Sequence, residues 1–180
     1  LAKIQEGKER NKNLDLRMGD GEFLEDFSSF SFDCVMMECT LSLINLPDEA
    51  LHEAFCVLKK GGKLFISDLY LKKPDPRQVK AIQIEAERQA KIPHKEENCG
   101  EGQMRFVDFR FEGAFIKEPM LRYMEEVGYK IVAFEDRSAD LDTYVAETIL
   151  REGSLDNCVT CAKGKKGIGY FMLVAEKPEK

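Results

Sequence analysis

The sequence predicts an α/β fold, and three consecutive patterns carry that prediction. Residues 32–39 form an almost unbroken apolar run, which is typical of a strand covered on both faces in a parallel sheet. A helical pattern opens at Pro47, and an apolar strand pattern follows at residues 63–67. Strand, helix and strand at this spacing indicate a βαβ unit.

The helix of this unit has recognisable ends. Pro47 is followed by Asp48 and Glu49, and these residue types favour the first turn of a helix. Gly61, which follows two lysines, is expected to cap the other end.

Two elements are expected upstream of this unit. Residues 1–10 are charged, with Leu1 and Ile4 on one face, and predict the last turns of an amphipathic helix. Residues 14–18 alternate between apolar and polar side chains and predict a half-buried strand that stops at the turn of residues 19–21.

The second half of the chain continues the α/β pattern. Apolar periodicity predicts a helix at 76–92, a helix at 117–127, a strand at 129–135, a helix at 139–152 and a closing strand at 168–176. The sequence contains no internal repeat, low-complexity tract or linker, so residues 1–180 are expected to form a single domain.

Composition excludes several partners. The chain has 180 residues, with 27 basic and 33 acidic side chains and a formal net charge of −6, and this balance argues against a nucleic-acid partner. It lacks any run of roughly 18 consecutive apolar residues, so no membrane partner is expected. At least three of the six cysteines lie inside apolar segments, which is typical of reduced thiols and predicts a cytoplasmic location.

The turn Gly19-Asp20-Gly21-Glu22 comes directly after a predicted strand. Ligands of parallel α/β sheets bind beyond the carboxyl ends of the strands, so an acid placed there can hydrogen-bond a ligand. A carboxylate at this point suits an adenine or ribose edge. The alternative is a glycine-rich turn that carries a solvated acid.

Three segments, in order, carry a family resemblance: residues 20–24 (DGEFL), 30–35 (FSFDCV) and 58–68 (LKKGGKLFISD). They resemble the middle of a class I S-adenosylmethionine-dependent methyltransferase, best the branch of quinone-biosynthesis and arsenite-methyltransferase-like enzymes. The resemblance implies a Rossmann-like sheet with helices on both faces, in the strand order 3-2-1-4-5-7-6. It also implies S-adenosylmethionine as the cofactor and a small molecule as the methyl acceptor.

The resemblance assigns site residues. Those expected to bind the cofactor are Asp20, Gly21, Glu22, Glu38 and Cys39, and those expected to face the substrate are Asp68, Tyr70 and Cys99. Simpler roles stay open: Cys39 as a buried thiol, Asp68 as a helix cap and Tyr70 as a partly buried ring. No metal site is predicted, and residues 71–116 are expected to be an insertion that covers the substrate. No catalytic base is expected, because transfer from a sulfonium depends mainly on alignment of the acceptor.

Two features of the family have no counterpart in these 180 residues. The family's first strand ends in a Gly-x-Gly-x-Gly loop, and its second strand ends in an acid that holds the ribose. We therefore expect the first two strands of the sheet to be missing from this chain. The strand at 14–18 then needs another neighbour. That neighbour is the strand at 34–38, a second copy in a homodimer through the open sheet edge, or a segment outside the sequence.

The sequence thus predicts a methyltransferase that acts on a small molecule by direct methyl transfer. The main alternative is a non-catalytic remnant or assembly module that pairs through its open sheet edge. A third hypothesis is a thiol- or metal-handling protein, because Cys158 and Cys161 form a Cys-x-x-Cys pair.

Overall fold

Strand β2 (Leu58–Leu71) lies at the centre of a six-stranded sheet. The structure is a computed structural model that describes residues 2–90, 107–154 and 167–179. The other strands are β1 (Phe32–Glu38), β3 (Arg110–Phe111), β4 (Ala114–Phe115), β5 (Lys130–Asp136) and β6 (Ile168–Glu176). The helices are α1 (Ala2–Arg10), α2 (Pro47–Val57), α3 (Pro76–Ala90), α4 (Lys117–Val127) and α5 (Ser138–Glu152), with a 3₁₀ turn at Leu41–Leu43.

The sheet is arranged around β2 and β6. β1 lies parallel to β2 on one side, β6 runs antiparallel to β2 on the other, and β5 pairs antiparallel with β6. The order β1-β2-β6-β5 matches the last four strands expected from the resemblance, and it confirms the α/β prediction. The β3–β4 hairpin joins the end of β2, where Tyr70 pairs with Phe115.

One face of the sheet holds the core. Leu64 and Ile66 on β2 and Phe171 and Leu173 on β6 are at most 2% exposed, and they pack in one cluster with buried side chains of α2 and α4. On the opposite face, α5 packs on β6. Helices therefore lie on both faces, as predicted, and apolar burial beneath α2 and α4 supplies the main stabilisation.

The predicted strand at residues 14–18 is wrong. The segment is irregular, and Leu14 and Met18 are 50% and 72% exposed. A strand needs a neighbour to satisfy its backbone hydrogen bonds, and across the described ranges β1 pairs only with β2. Direct pairing of residues 14–18 with β1 is therefore wrong as well.

The expected cap at Gly61 is also wrong. Helix α2 ends at Val57, and Gly61 lies inside β2 with a φ of +75°, where its N–H donates to the Lys177 carbonyl at 2.7 Å. At Gly62 a Cβ would lie 2.8 Å from the Lys59 carbonyl oxygen. The two glycines therefore do not cap a helix. They allow an irregularity in β2, at the point where its register with β1 shifts.

The later elements match the predicted bounds closely, including α4 and β6. Helix α3 was expected to belong to a cover over the substrate, but its Ile82 and Ala86 pack against the core beside α4. No helix within the described ranges is long and apolar enough to cross a bilayer.

Asp48 ties the first turn of α2 to the segment that follows residue 106. Its side chain is 1% exposed, and Oδ2 accepts a hydrogen bond from the Val107 N–H at 2.9 Å. Burial raises the pKa of Asp48 to about 6, and backbone hydrogen bonds oppose this rise.

We expect Asp48→Asn to stabilise the protein at neutral pH but not in acid. The folded-state pKa of Asp48 lies above its ordinary value of 3.8, so the wild type loses stability as the pH rises from that value to about 6. Asparagine keeps an acceptor for Val107 and does not titrate. The variant's unfolding free energy relative to wild type should rise by about 1–3 kcal/mol between pH 4 and pH 7.5, measured by urea unfolding. A difference that is constant, or that falls with pH, would contradict this.

Candidate functional site

The acidic turn of residues 19–22 packs against the loop that follows β1, residues 40–45, here called the β1 loop. The Asp20 carboxylate accepts the Glu22 N–H at 2.9 Å, and Glu22 Oε1 accepts the Asn45 N–H at 2.7 Å. A Cβ on Gly21 would lie 3.4 Å from Cδ1 of Ile44. The predicted cofactor-binding turn is therefore held at the carboxyl end of β1.

The buried Asp68 and the partly buried Arg110 also hold the β1 loop. Asp68 Oδ2 accepts the Ser42 N–H at 2.8 Å. Arg110 donates through Nη1 to the carbonyls of Ser42 at 2.7 Å and Ile44 at 2.6 Å. Burial raises the pKa of Asp68, and the Ser42 hydrogen bonds and the Arg110 charge oppose this rise. The loop is thus fixed through its backbone.

Cys39 stands where β1 passes into this loop. Its φ is +49°, a left-handed conformation that is rare for a residue other than glycine. The Cys39 N–H donates to the Ser67 carbonyl at 2.7 Å, and Sγ lies 3.4 Å from the Tyr170 hydroxyl. Glu38, the last residue of β1, is exposed. Such strained positions cluster at functional sites.

A cleft of about 370 Å³ opens beside Cys39, between the sheet and α5. Its lining is mixed aromatic, apolar and polar: Cys39, Leu69, Asp140, Leu141, Tyr144 and Tyr170. Burial and the hydrogen bond with Cys39 raise the pKa of Tyr170 to about 12, so its phenol stays neutral at pH 7. A cleft of this size that combines apolar walls with hydroxyl, thiol and carboxylate groups suits a small organic ligand.

The residues predicted to face substrate are placed differently. Asp68 and Tyr70 are 1% and 8% exposed and point to the core face, the opposite face from Leu69 and Tyr170. The Tyr70 ring packs edge-on against Phe171. Their placement favours supporting roles for both side chains. Cys99 lies outside the described residues.

The prediction of reduced cysteines is confirmed in part. Cys34 and Cys39 are free, whereas Cys56 is disulfide-bonded. The sequence correctly indicates that Cys56 lies buried in an apolar helix. It does not indicate the disulfide, because a disulfide depends on a second sulfur that only the tertiary fold brings near.

Of the residues that line the cleft, the sequence predicted only Cys39. Tyr170 and Tyr144 line the cleft, and Arg110 holds the β1 loop. Tyr170 lies opposite Leu69 on β2. Its place in the cleft could have been predicted only if the register of β6 on β2 had been known. Arg110 pairs locally with Asp108, but its hold on the β1 loop carries no sequence signal, because the partners there are backbone carbonyls of a distant segment.

We expect Arg110→Met to loosen the β1 loop. The loss of two short hydrogen bonds from a guanidinium that is 14% exposed should lower the unfolding free energy by about 1–3 kcal/mol. It should also speed amide exchange at residues 40–45. Arg122→Met removes an arginine that is 57% exposed and serves as the control, with little expected effect. Equal effects of both substitutions would show that Arg110 does not anchor the loop.

Comparisons with known proteins agree with this geometry. A family model described as a methyltransferase domain matches residues 1–166. An arsenite methyltransferase from Aquipseudomonas alcaligenes is 36% identical over 63 residues, covering 32% of this chain and 17% of that protein. A demethylmenaquinone methyltransferase from Renibacterium salmoninarum is 37% identical over 68 residues, covering 38% of this chain and 28% of that protein. The matched part of the chain thus spans less than a third of either relative.

Solved structures show the same fold. A geranyl diphosphate methyltransferase in complex with SAM matches with a TM-score of 0.63 at 12% identity, covering 98% of this chain and 65% of that one. The [4+2]-cyclase SpnF matches with a TM-score of 0.61 at 19% identity, covering 98% of this chain and 62% of that one. Since the family model extends over residues 1–166, more than half of the chain, this protein belongs to the methyltransferase domain family.

Proposed function

We propose that this chain carries part of the active site of an S-adenosylmethionine-dependent methyltransferase that acts on a small molecule. One observation carries the proposal: the acidic turn and Cys39 meet the two ends of the β1 loop, next to an open cleft. In α/β sheets with parallel strands this edge binds nucleotide-like ligands.

The residues present fit the cofactor. We assign Asp20, Gly21 and Glu22 to its adenosine part, because the carboxylates of the exposed Asp20 and the half-buried Glu22 can accept hydrogen bonds from amino and hydroxyl groups. Glu38 and Cys39 are assigned to its methionine part. The bound cofactor supplies a methyl group on a positively charged sulfonium, and the acids at positions 20, 22 and 38 are complementary to that charge.

The cleft beside Cys39 is assigned to the methyl acceptor. Leu69, Leu141 and Tyr144 exclude water from an acceptor bound there, and Tyr170 offers it a neutral hydroxyl donor. With a pKa of about 12, Tyr170 does not serve as a general base at neutral pH. The contribution of these residues is alignment and exclusion of water, which suffices when the leaving group is already activated.

Asp68 is proposed as a positioning residue, since it acts on the site through the β1 loop. Tyr70 packs against Phe134 and Phe171 and is proposed to support the sheet on its core face. Asp140, Leu141 and Tyr144 of α5 line the cleft on one side, and residues 71–116 are still proposed as a cover over the substrate. The role of Cys99 and a cytoplasmic location remain predictions.

Calorimetric titration with S-adenosylhomocysteine tests this proposal. We expect binding to the 180-residue chain, weakened about tenfold by Asp20→Asn through loss of a charge-assisted hydrogen bond. Asp26→Asn, an exposed acid nearby, removes the same charge and should leave the affinity unchanged. The proposal fails if neither this chain nor one extended upstream binds, or if both substitutions weaken binding equally. Binding only by the extended chain would limit this chain to part of the site.

A second candidate function is assembly through β1. Across the described ranges the outer edge of β1 has no strand partner, and Met36 on this strand is 62% exposed. An unpaired apolar edge is a template for another strand, so a homodimer through this edge is proposed. Light scattering should then show a dimer that Met36→Pro disrupts, because the N–H groups of residues 35, 37 and 39 face β2, as the Cys39–Ser67 hydrogen bond indicates, and that of Met36 faces the open edge. A monomer at high concentration would refute it.

A further inference from the structure

Helix α5 forms one wall of the cleft, and its first residue is bound to the strand that carries another wall. Leu141 and Tyr144 of α5 line the cleft, as does Tyr170 of β6. Ser138, the first residue of α5, accepts the Tyr170 N–H through Oγ at 3.2 Å. We propose that Ser138 is a positioning residue that sets the width of the acceptor cleft. This inference rests on the methyltransferase function proposed above.

The Ser138 hydroxyl connects two strands, because it both donates and accepts a hydrogen bond. It accepts from Tyr170 on β6 and donates to the carboxylate of Asp136, the last residue of β5. The same carboxylate accepts the Ser138 N–H at 2.9 Å. Next to it, the Arg137 N–H donates to the Tyr170 carbonyl at 2.7 Å. Residues 137 and 138 therefore hold both backbone groups of Tyr170.

Tyr70 reaches the same point from β2. Its hydroxyl hydrogen-bonds with Asp136 and Ser138, and these three residues are here called the α5 joint. Burial, and then the Asp136 charge, raise the pKa of Tyr70, so the phenol keeps its proton at neutral pH and donates to the carboxylate. The Ser138 hydrogen bonds hold the pKa of Asp136 below its ordinary value, so this acceptor stays ionised. Charge-assisted hydrogen bonds of this kind are stronger than neutral ones.

Close packing leaves the α5 joint little room to move. Gly169 lies opposite Tyr70 and immediately precedes Tyr170. A Cβ at Gly169 would lie 2.6 Å from Ser138 Oγ and 2.6 Å from Tyr70 Cε1, which is too close for any larger residue. The joint therefore packs directly on the β6 backbone next to the residue that lines the cleft.

The position of the α5 joint makes the cleft sensitive to it. Tyr144 lies two helical turns beyond Ser138, about 9 Å along the axis of α5. A tilt of about 10° at Ser138 would therefore shift Tyr144 by about 1.5 Å. A misplacement of about 1 Å, caused by a residue outside the chemistry, can cost about 100-fold in rate. Ser138 thus aligns the acceptor through α5 without contacting it.

Alkylation of Cys39 by reagents of two sizes tests the proposal on the full chain, because Cys39 lines the cleft. Peptide mass spectrometry follows this cysteine separately, with iodoacetamide as the small reagent and monobromobimane as the bulky one. Ser138→Ala should widen the cleft and raise the ratio of bulky to small reagent rates by about three- to tenfold, the effect of one lost hydrogen bond. The ratio should not depend on urea below the unfolding transition. Exposure of Cys39 by global unfolding would instead grow steeply with urea.

Two further variants keep the test decisive. Tyr70→Phe removes one hydroxyl of the α5 joint and keeps the ring, so it should fold and raise the ratio in the same direction. Thr143→Ala is the matched control, because its hydroxyl bonds to the Ala139 carbonyl within α5, and it should leave the ratio unchanged. Both joint variants should bind S-adenosylhomocysteine as wild type does, since they act on the acceptor side.

Three results would overturn the proposal: unchanged ratios in both joint variants, an equal rise in Thr143→Ala, or a rise that follows global unfolding in urea. Any of them leaves the proposed methyltransferase function standing, provided that wild type binds S-adenosylhomocysteine. If wild type does not bind it, the proposed function fails, and the positioning role of Ser138 fails with it whatever the ratio.

Discussion

The antiparallel pairing of β2 with β6 is the interaction on which the rest of this structure depends. It runs from Lys63 opposite Glu176 to Leu71 opposite Ile168 and joins the middle of the chain to its end. Both strands bury every second side chain on one face. A register shift of one residue would turn Phe171 and Leu173 away from the core, so burial fixes the register.

The same pairing positions the cleft at one of its ends and Lys177 at the other. At one end Tyr170 lies opposite Leu69 and reaches Cys39, which creates the cleft. At the other end the buried Lys177 donates to the carbonyls of Phe55 at 2.6 Å and Leu58 at 2.9 Å. The carboxyl end of a helix carries negative partial charge, so this ammonium stabilises the end of α2. One ladder thus fixes the cleft and anchors the end of α2.

The parts of this fold that the sequence predicts are those with local signals. Helix α4 ends at Gly128, whose φ is +117°, as its glycine predicts. Strand β6 has the predicted bounds because its apolar run is strong. The segment at 14–18 has the alternation of a strand, yet pairing is a tertiary property that alternation does not guarantee. Within the site, the acidic turn was predictable from its motif. Arg110 was not, because it binds backbone carbonyls that any residue could supply.

The central claim is that the acidic turn, Cys39 and the β1 loop form one face for the cofactor. Hydrogen–deuterium exchange with and without saturating S-adenosylhomocysteine tests it most directly, because it reports where the ligand acts. The account predicts slower exchange at residues 19–22 and 39–45, with no change in α4 at residues 117–127. Protection confined to other segments, or no protection at all, would contradict it.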